Sequence, residues 1–91
     1  MDEDRSGSIN PARPVYVYVQ LADDIAAQIA EGRLAPGAML PGERDLAGIY
    51  GVAYLTARRA VKLLRERGLV VTLPAKGTYV AEQVEGADTS E

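Results

Sequence analysis

The chain has 91 residues and a net charge of −3, with no cysteine, histidine, phenylalanine or tryptophan. One domain is expected at this length, with a small core that removes roughly 60% of the unfolded surface from water. Without Cys and His there is no disulfide framework and no thiolate or imidazole zinc site, and the commonest nucleophile–base pairs of enzymes are missing. Asp23 and Asp24 are a possible carboxylate pair, but no pocket-forming sequence surrounds them. No apolar run approaches the ~20 residues of a membrane span. The acidic start, MDEDRSGS, is unlike a signal peptide. A cytoplasmic, non-enzymatic protein without cofactor or metal is therefore expected. The charge is unevenly placed: between Arg58 and Lys76 there are six cations and one anion, Glu66, a local +5 that leaves −8 for the rest. The local field, more than the sum, decides what a surface attracts.

Residues 1–13 combine Gly, Ser, Asn and Pro without periodicity and read as a flexible N-terminal arm. From residue 15 or 16 to residue 31, Tyr18, Leu21, Ala22, Ile25 and Ile29 recur at three- and four-residue spacing and predict a first helix. Asp23, Asp24, Gln28 and Glu31 fall largely off that row, the two aspartates as helix surface. Tyr16 and Tyr18 read as core or helix-entry anchors. Gly32 is the stop. Pro36-Gly37 signals a turn, and Leu34, Met39 and Leu40 fit a short strand or extended link. Pro41-Gly42 precedes a second helix over Glu43–Tyr50, with Glu43 at the positive end of its dipole and Gly42 as a tolerable N-cap. Gly51 ends it. A third helix is predicted over residues 53–67. Ala57, Ala60, Val61 and Leu64 make one stripe and Tyr54, Arg58, Lys62 and Arg65 another, which cannot point the same way. Gly68 closes it. The β-branched "LVVTL", the turn "PAKG" and "TYVA" then predict a hairpin with strands near residues 69–73 and 78–81, Tyr79 lying in the core. Residues 82–91 read as an acidic disordered tail.

Two helices joined by a short Gly-containing turn form a helix-turn-helix. A hairpin after the third helix makes residues 14–81 an α+β winged helix-turn-helix, three helices followed by a β-hairpin wing. "LPGERDLAGIYGVAYLTARRAVKLLRERGLV" followed by "AKGTYV" resembles the DNA-binding domain of the GntR family of bacterial transcription regulators. The family pattern is Leu-Pro-Ser-Glu-Arg, Leu-Ala, Gly-Val, Thr-Val-Arg-Arg-Ala, Glu-Gly-Leu-Val and Gly-Thr-Phe-Val, met here in order and spacing over about residues 15–81.

The resemblance implies sequence-specific operator binding, most often repression, by a homodimer on a palindromic double-stranded site. The third helix would lie in the major groove and the wing, residues 74–78, in the minor groove. It places Arg44 at a base edge or nearby backbone, Thr56 at a phosphate, Arg58 at a base or phosphate, and Lys76, Gly77 and Thr78 at the wing tip. Lys62 continues the basic row. Gly42 stands where the family often has serine. Ala53, Tyr54 and Leu55 replace Ser, Arg and Thr, and Ala75 replaces a wing glycine. Tyr54 can donate its hydroxyl to phosphate and pack its ring on sugar, and Leu55 can meet a thymine methyl. Family members usually carry a second, effector-binding domain. Here ten residues follow Ala81, so no effector pocket is expected in this chain.

Each cation also has a plainer reading. Arg58, Lys62 and Arg65 could be a solvated helix face, Arg59 and Arg67 solvent or ion-pair residues, and Arg44 the partner of Glu43 or Asp45. The competing function is a winged-helix module that binds a protein partner and not DNA, suggested by the acidic flanks and the helix tip with one cation fewer.

Overall fold

The computed structural model describes residues 4–82. The tail expected over residues 82–91 therefore lies outside the described residues, apart from Glu82. Helix α1 runs Val17–Ala30, α2 Glu43–Tyr50 and α3 Tyr54–Glu66; strands β1 (Val70–Leu73) and β2 (Gly77–Val80) follow. Together they form a winged helix-turn-helix.

The core gathers the apolar row of α1 (Leu21, Ala22, Ile25), Leu46 and Tyr50 of α2, and Ala57, Ala60, Val61 and Leu64 of α3. Two alanines in the α3 stripe let its backbone come close to α1, so the core stays dense without any phenylalanine or tryptophan. Leu34, Leu40, Val70 and Val80 seal the sheet against these helices.

β1 and β2 pair antiparallel, with Val70 opposite Val80 and Leu73 opposite Gly77. The expected extended link also joins the sheet. Gly37 N–H donates to Val80 O (2.9 Å), Val80 N–H to Ala38 O (2.8 Å) and Leu40 N–H to Thr78 O (2.8 Å), with Met39 bridged to Tyr79. The wing is thus tied back at its base by a third, short edge. Tyr79, expected in the core, is only half-buried. Its register partner Val71 and the bridged Met39 are exposed, on the face away from the helices.

Two backbone positions shape the functional end. Gly51 ends α2 at φ +67° in the left-handed region, and a Cβ there would stand 3.2 Å from Ser6 Cβ. At the wing tip, Lys76 N–H donates to Leu73 O (2.9 Å), closing a turn with Pro74 and Ala75 at its centre. Ala75 takes φ +67°, the value a type II turn demands of its third residue and glycine usually supplies.

The largest departure from the sequence reading is the arm. Residues 5–8 pack on the body through a short 3-10 turn, Ser6–Ser8. Arg5 N–H donates to Ile49 O (2.7 Å), and its guanidinium makes a two-pronged contact with Asp24 (2.8 and 3.2 Å). Asp24 also accepts from the Tyr50 hydroxyl (2.6 Å) and from Gln28 Nε2 (3.1 Å). Gln20, buried in α1, donates to Asn10 O and Val15 O and accepts from Asn10 N–H. Asp24 and Gln28 are therefore not free surface: Asp24 receives Arg5 of the arm, and Gln28 supports it from within α1 by donating to Asp24 and to the Tyr50 hydroxyl. Burial pushes the Asp24 carboxyl up, but hydrogen bonds from Arg5 and Tyr50 outweigh it and hold the group below the ordinary carboxylate range. Burial and the neighbouring carboxylate together push the Tyr50 phenol up. Asp23 does lie on the surface, paired with Arg67 at 2.9 Å. Tyr16 is exposed at the entry of α1 and stacks on Tyr18, which is half-buried.

Candidate nucleic-acid interface

α3 divides its residues cleanly. Ala57, Ala60, Val61 and Leu64 face inward, while Leu55, Arg58, Arg59 and Lys62 line one shallow exposed depression that ends at Arg65. The two stripes at helical spacing account for this division. Arg58 and Lys62 project from it as exposed cations. Thr56, in the first turn, is half-buried.

The wing lies on the same side. A groove runs between the start of α2 (Pro41, Gly42, Glu43), Val61 of α3 and the hairpin from Thr72 to Thr78. Lys76 is exposed at the tip. Gly77 follows with φ +140°, where a Cβ would meet Met39 Sδ at 3.2 Å; a bare backbone is needed there. Thr78 is half-buried, its Oγ1 2.9 Å from Thr72 Oγ1, and Thr72 Oγ1 in turn accepts from Arg65 Nη1 (3.0 Å). Arg65, read as part of the free basic row, is thus a brace between the last turn of α3 and the wing. Thr78 belongs to the same brace. A β-branched hydroxyl opposite another in an antiparallel pair is the signal that could have revealed it.

The N-terminal ends of α2 and α3 meet at the other limit of the ridge. The Arg44 guanidinium lies over the Tyr54 ring, 4.9 Å from its centroid, and the Tyr54 hydroxyl donates to Glu43 Oε1 at 3.3 Å. Arg44 was open to pairing with Glu43 or Asp45; among the described residues its partner is an aromatic ring and no ion pair involves it. Arg59 leaves the ridge sideways and sits over the Tyr18 ring of α1 at 5.0 Å. Asp4 lines the hollow beside Arg44 with Asp45 and Gly48. The Ser6 backbone N–H, donating to Asp4 at 2.8 Å, holds that carboxyl below its ordinary value.

The sequence-named residues therefore fall into three clusters along one surface: Arg44 with Tyr54; Leu55, Thr56, Arg58 and Lys62 on α3; and Lys76, Gly77 and Thr78 on the wing. A linear, cationic, solvent-open ridge with a loop at its side suits an extended polyanion better than an enclosed small molecule. Among the described residues no cluster could hold a metal, and no helix is long and apolar enough to cross a membrane.

The family model "Bacterial regulatory proteins, gntR family" matches residues 17–80. The chain belongs to the GntR family. It is similar to the HTH-type transcriptional repressor NagR of Bacillus subtilis (strain 168), at 35% identity over 75 residues, which are 82% of this chain and 31% of NagR. Among solved structures, YtrA from Sulfolobus acidocaldarius, a GntR-family transcription factor, superposes with a TM-score of 0.74 at 37% identity, covering 82% of this chain and 63% of YtrA. The DNA-binding domain of AraR, solved in complex with operator ORX1, superposes at 0.70 with 28% identity, covering 80% of this chain and 94% of that one. The chain spans less than a third of the length of the curated relatives it matches.

Proposed function

We propose that this chain is the sequence-specific DNA-binding module of a bacterial transcription regulator, acting as a repressor on a palindromic operator. α3 enters the major groove and the wing, residues 74–78, follows the neighbouring minor groove. Arg58 and Arg44 read base edges, Lys62 and Thr56 meet phosphates, and Lys76 adds charge where the groove narrows. The observation that carries this reading is the α3 ridge: Arg58 and Lys62 are exposed, have no ion-pair partner among the described residues, and stand on the helix face opposite the buried alanines, in a row that Arg65 ties to the wing. That arrangement occurs in a chain that superposes on an operator-bound domain.

A single module of this kind covers about 600–1,000 Å² on DNA, so two copies are needed for specific binding. The chain acts as a homodimer on its site. Selection of bound sequences from a random duplex pool tests the whole reading. A palindrome should be enriched, with a thymine preference near the half-site centre where Leu55 meets the methyl group. Log affinity should fall with log salt at about −0.9 per phosphate neutralised. Failure to enrich any palindrome, with flat salt dependence, would favour the protein-binding module instead. Light scattering that reports a monomer even with operator would remove the dimer.

A further inference from the structure

We propose that Tyr54 sets base selectivity through its ring, as the platform that aims Arg44, and not through its hydroxyl on the DNA backbone. This rests on the DNA-binding reading above and sharpens one contact within it. Arg44 stands at the second position of α2 and is exposed; a long guanidinium side chain there has rotamer freedom to lose on docking. The Tyr54 ring beneath it, centroid at 4.9 Å, is within the range where an aromatic face attracts a cation.

The nature of the partner matters. A carboxylate would take N–H donors from the fork; a ring satisfies the charge and takes none. Arg44 thus reaches a base edge with its donors uncommitted, as bidentate recognition of guanine O6 and N7 requires. The Tyr54 hydroxyl donates to Glu43 Oε1, and Glu43 directly precedes Arg44 on α2. Three side chains from two helices therefore close a small circuit at the helix-turn-helix tip. The hydroxyl is occupied on the protein side, while the ring carries the arginine.

The test uses the operator enriched by the wild-type chain and a set of duplexes, each with one base pair replaced. Tyr54→Phe keeps the ring and should retain discrimination at the base pair that Arg44→Ala relaxes. Tyr54→Leu keeps apolar bulk and should weaken discrimination about two- to fivefold, the scale of an exposed cation–π contact. The loss should fall at the base pair that Arg44→Ala also relaxes and at no other. In the Arg44→Ala background, Tyr54→Leu should add nothing. Thermal melts of each variant check that it is folded. Uniform weakening across all duplexes by Tyr54→Phe would instead place the hydroxyl on phosphate and overturn the assignment. Unchanged selectivity in Tyr54→Leu, or full additivity with Arg44→Ala, would overturn it too. A wild-type chain that enriches no sequence overturns the operator reading, and this assignment with it.

Discussion

The same residue type does opposite work on two sides of this small domain. On the arm side, Arg5 is half-buried, doubly bonded to Asp24 and linked through it to Tyr50 and Gln28. On the ridge side, Arg58 and Lys62 are exposed and have no ion pair or side-chain hydrogen bond among the described residues. Between them stand intermediate cases: Arg67 on Asp23, Arg59 on Tyr18, Arg65 on Thr72. Charge that holds a fold together is paired and partly dry. Charge left open, as on the ridge, can take an incoming anion without any internal contact being broken first.

The difference can be broken most forcefully at Asp24. Asp24→Ala takes the two-pronged carboxylate from Arg5 and the acceptor from the Tyr50 hydroxyl, and should lower unfolding free energy by about 2–3 kcal/mol, less than the loss for a fully buried pair because both side chains keep some exposure. Urea or thermal unfolding measures this, while operator affinity per folded molecule should not change. The carboxyl titrates below its ordinary value near 3.9. Its contribution is therefore complete above that pH and is lost as pH falls through the depressed folded value. Asp24→Asn should accordingly flatten the decline of stability below about pH 4, and an unchanged acid limb would refute the pairing.

The opposite outcome is expected on the ridge. Arg58→Ala should cost about 1–3 kcal/mol of specific operator binding, yet shift stability by no more than about 0.5 kcal/mol, as for exposed residues without partners. A large loss of stability would mean that Arg58 belongs with the paired cations.

The brace at the wing lies between these extremes. Arg65→Gln and Thr72→Val should each weaken operator binding by about 0.5–1 kcal/mol, the worth of one exposed hydrogen bond or cross-strand threonine pair. The double variant should be no worse than either single one. Additive losses would make Arg65 a separate DNA contact. The smallest effect concerns the acidic start of the chain. Deleting residues 1–13 would remove Arg5 and disturb the core-side network, so Asp2→Asn, Glu3→Gln and Asp4→Asn together are the better probe. With Asp4 beside the hollow of Arg44, neutralisation should raise affinity for random DNA at low salt and leave the operator-to-random ratio lower. Equal affinity of the two proteins for random duplex would reject a damping role.

Much of the architecture was legible because its signals are local. Pro41-Gly42 and Gly51 bracket α2 at Glu43–Tyr50 as read. The alternating stripes of α3 separate core from ridge, and the turn residues fix the hairpin within a residue or two. α1 begins at Val17 because Tyr16 keeps extended backbone at the cap. What escaped the reading was long-range. Arg5 meets Asp24 nineteen positions away, and Asn10 meets Gln20 across the arm. A Gly- and Ser-rich opening gives no periodic sign that Arg5 has a socket. Around the site, Arg58, Lys62 and Lys76 were legible as exposed cations. The Arg44–Tyr54–Glu43 circuit and the Arg65 brace were not, since each depends on how two elements meet in space.

Ala75 at φ +67° has a consequence for how the hairpin tip greets a groove. An alanine accepts this geometry at about 1 kcal/mol where a glycine would do so freely. A glycine, however, would also wander among many other shapes. With Pro74 before it, the alanine leaves the loop few alternatives. The backbone that carries Lys76 is therefore held near one shape by the turn itself, so docking of the tip in a groove, as proposed above, would freeze out little backbone freedom.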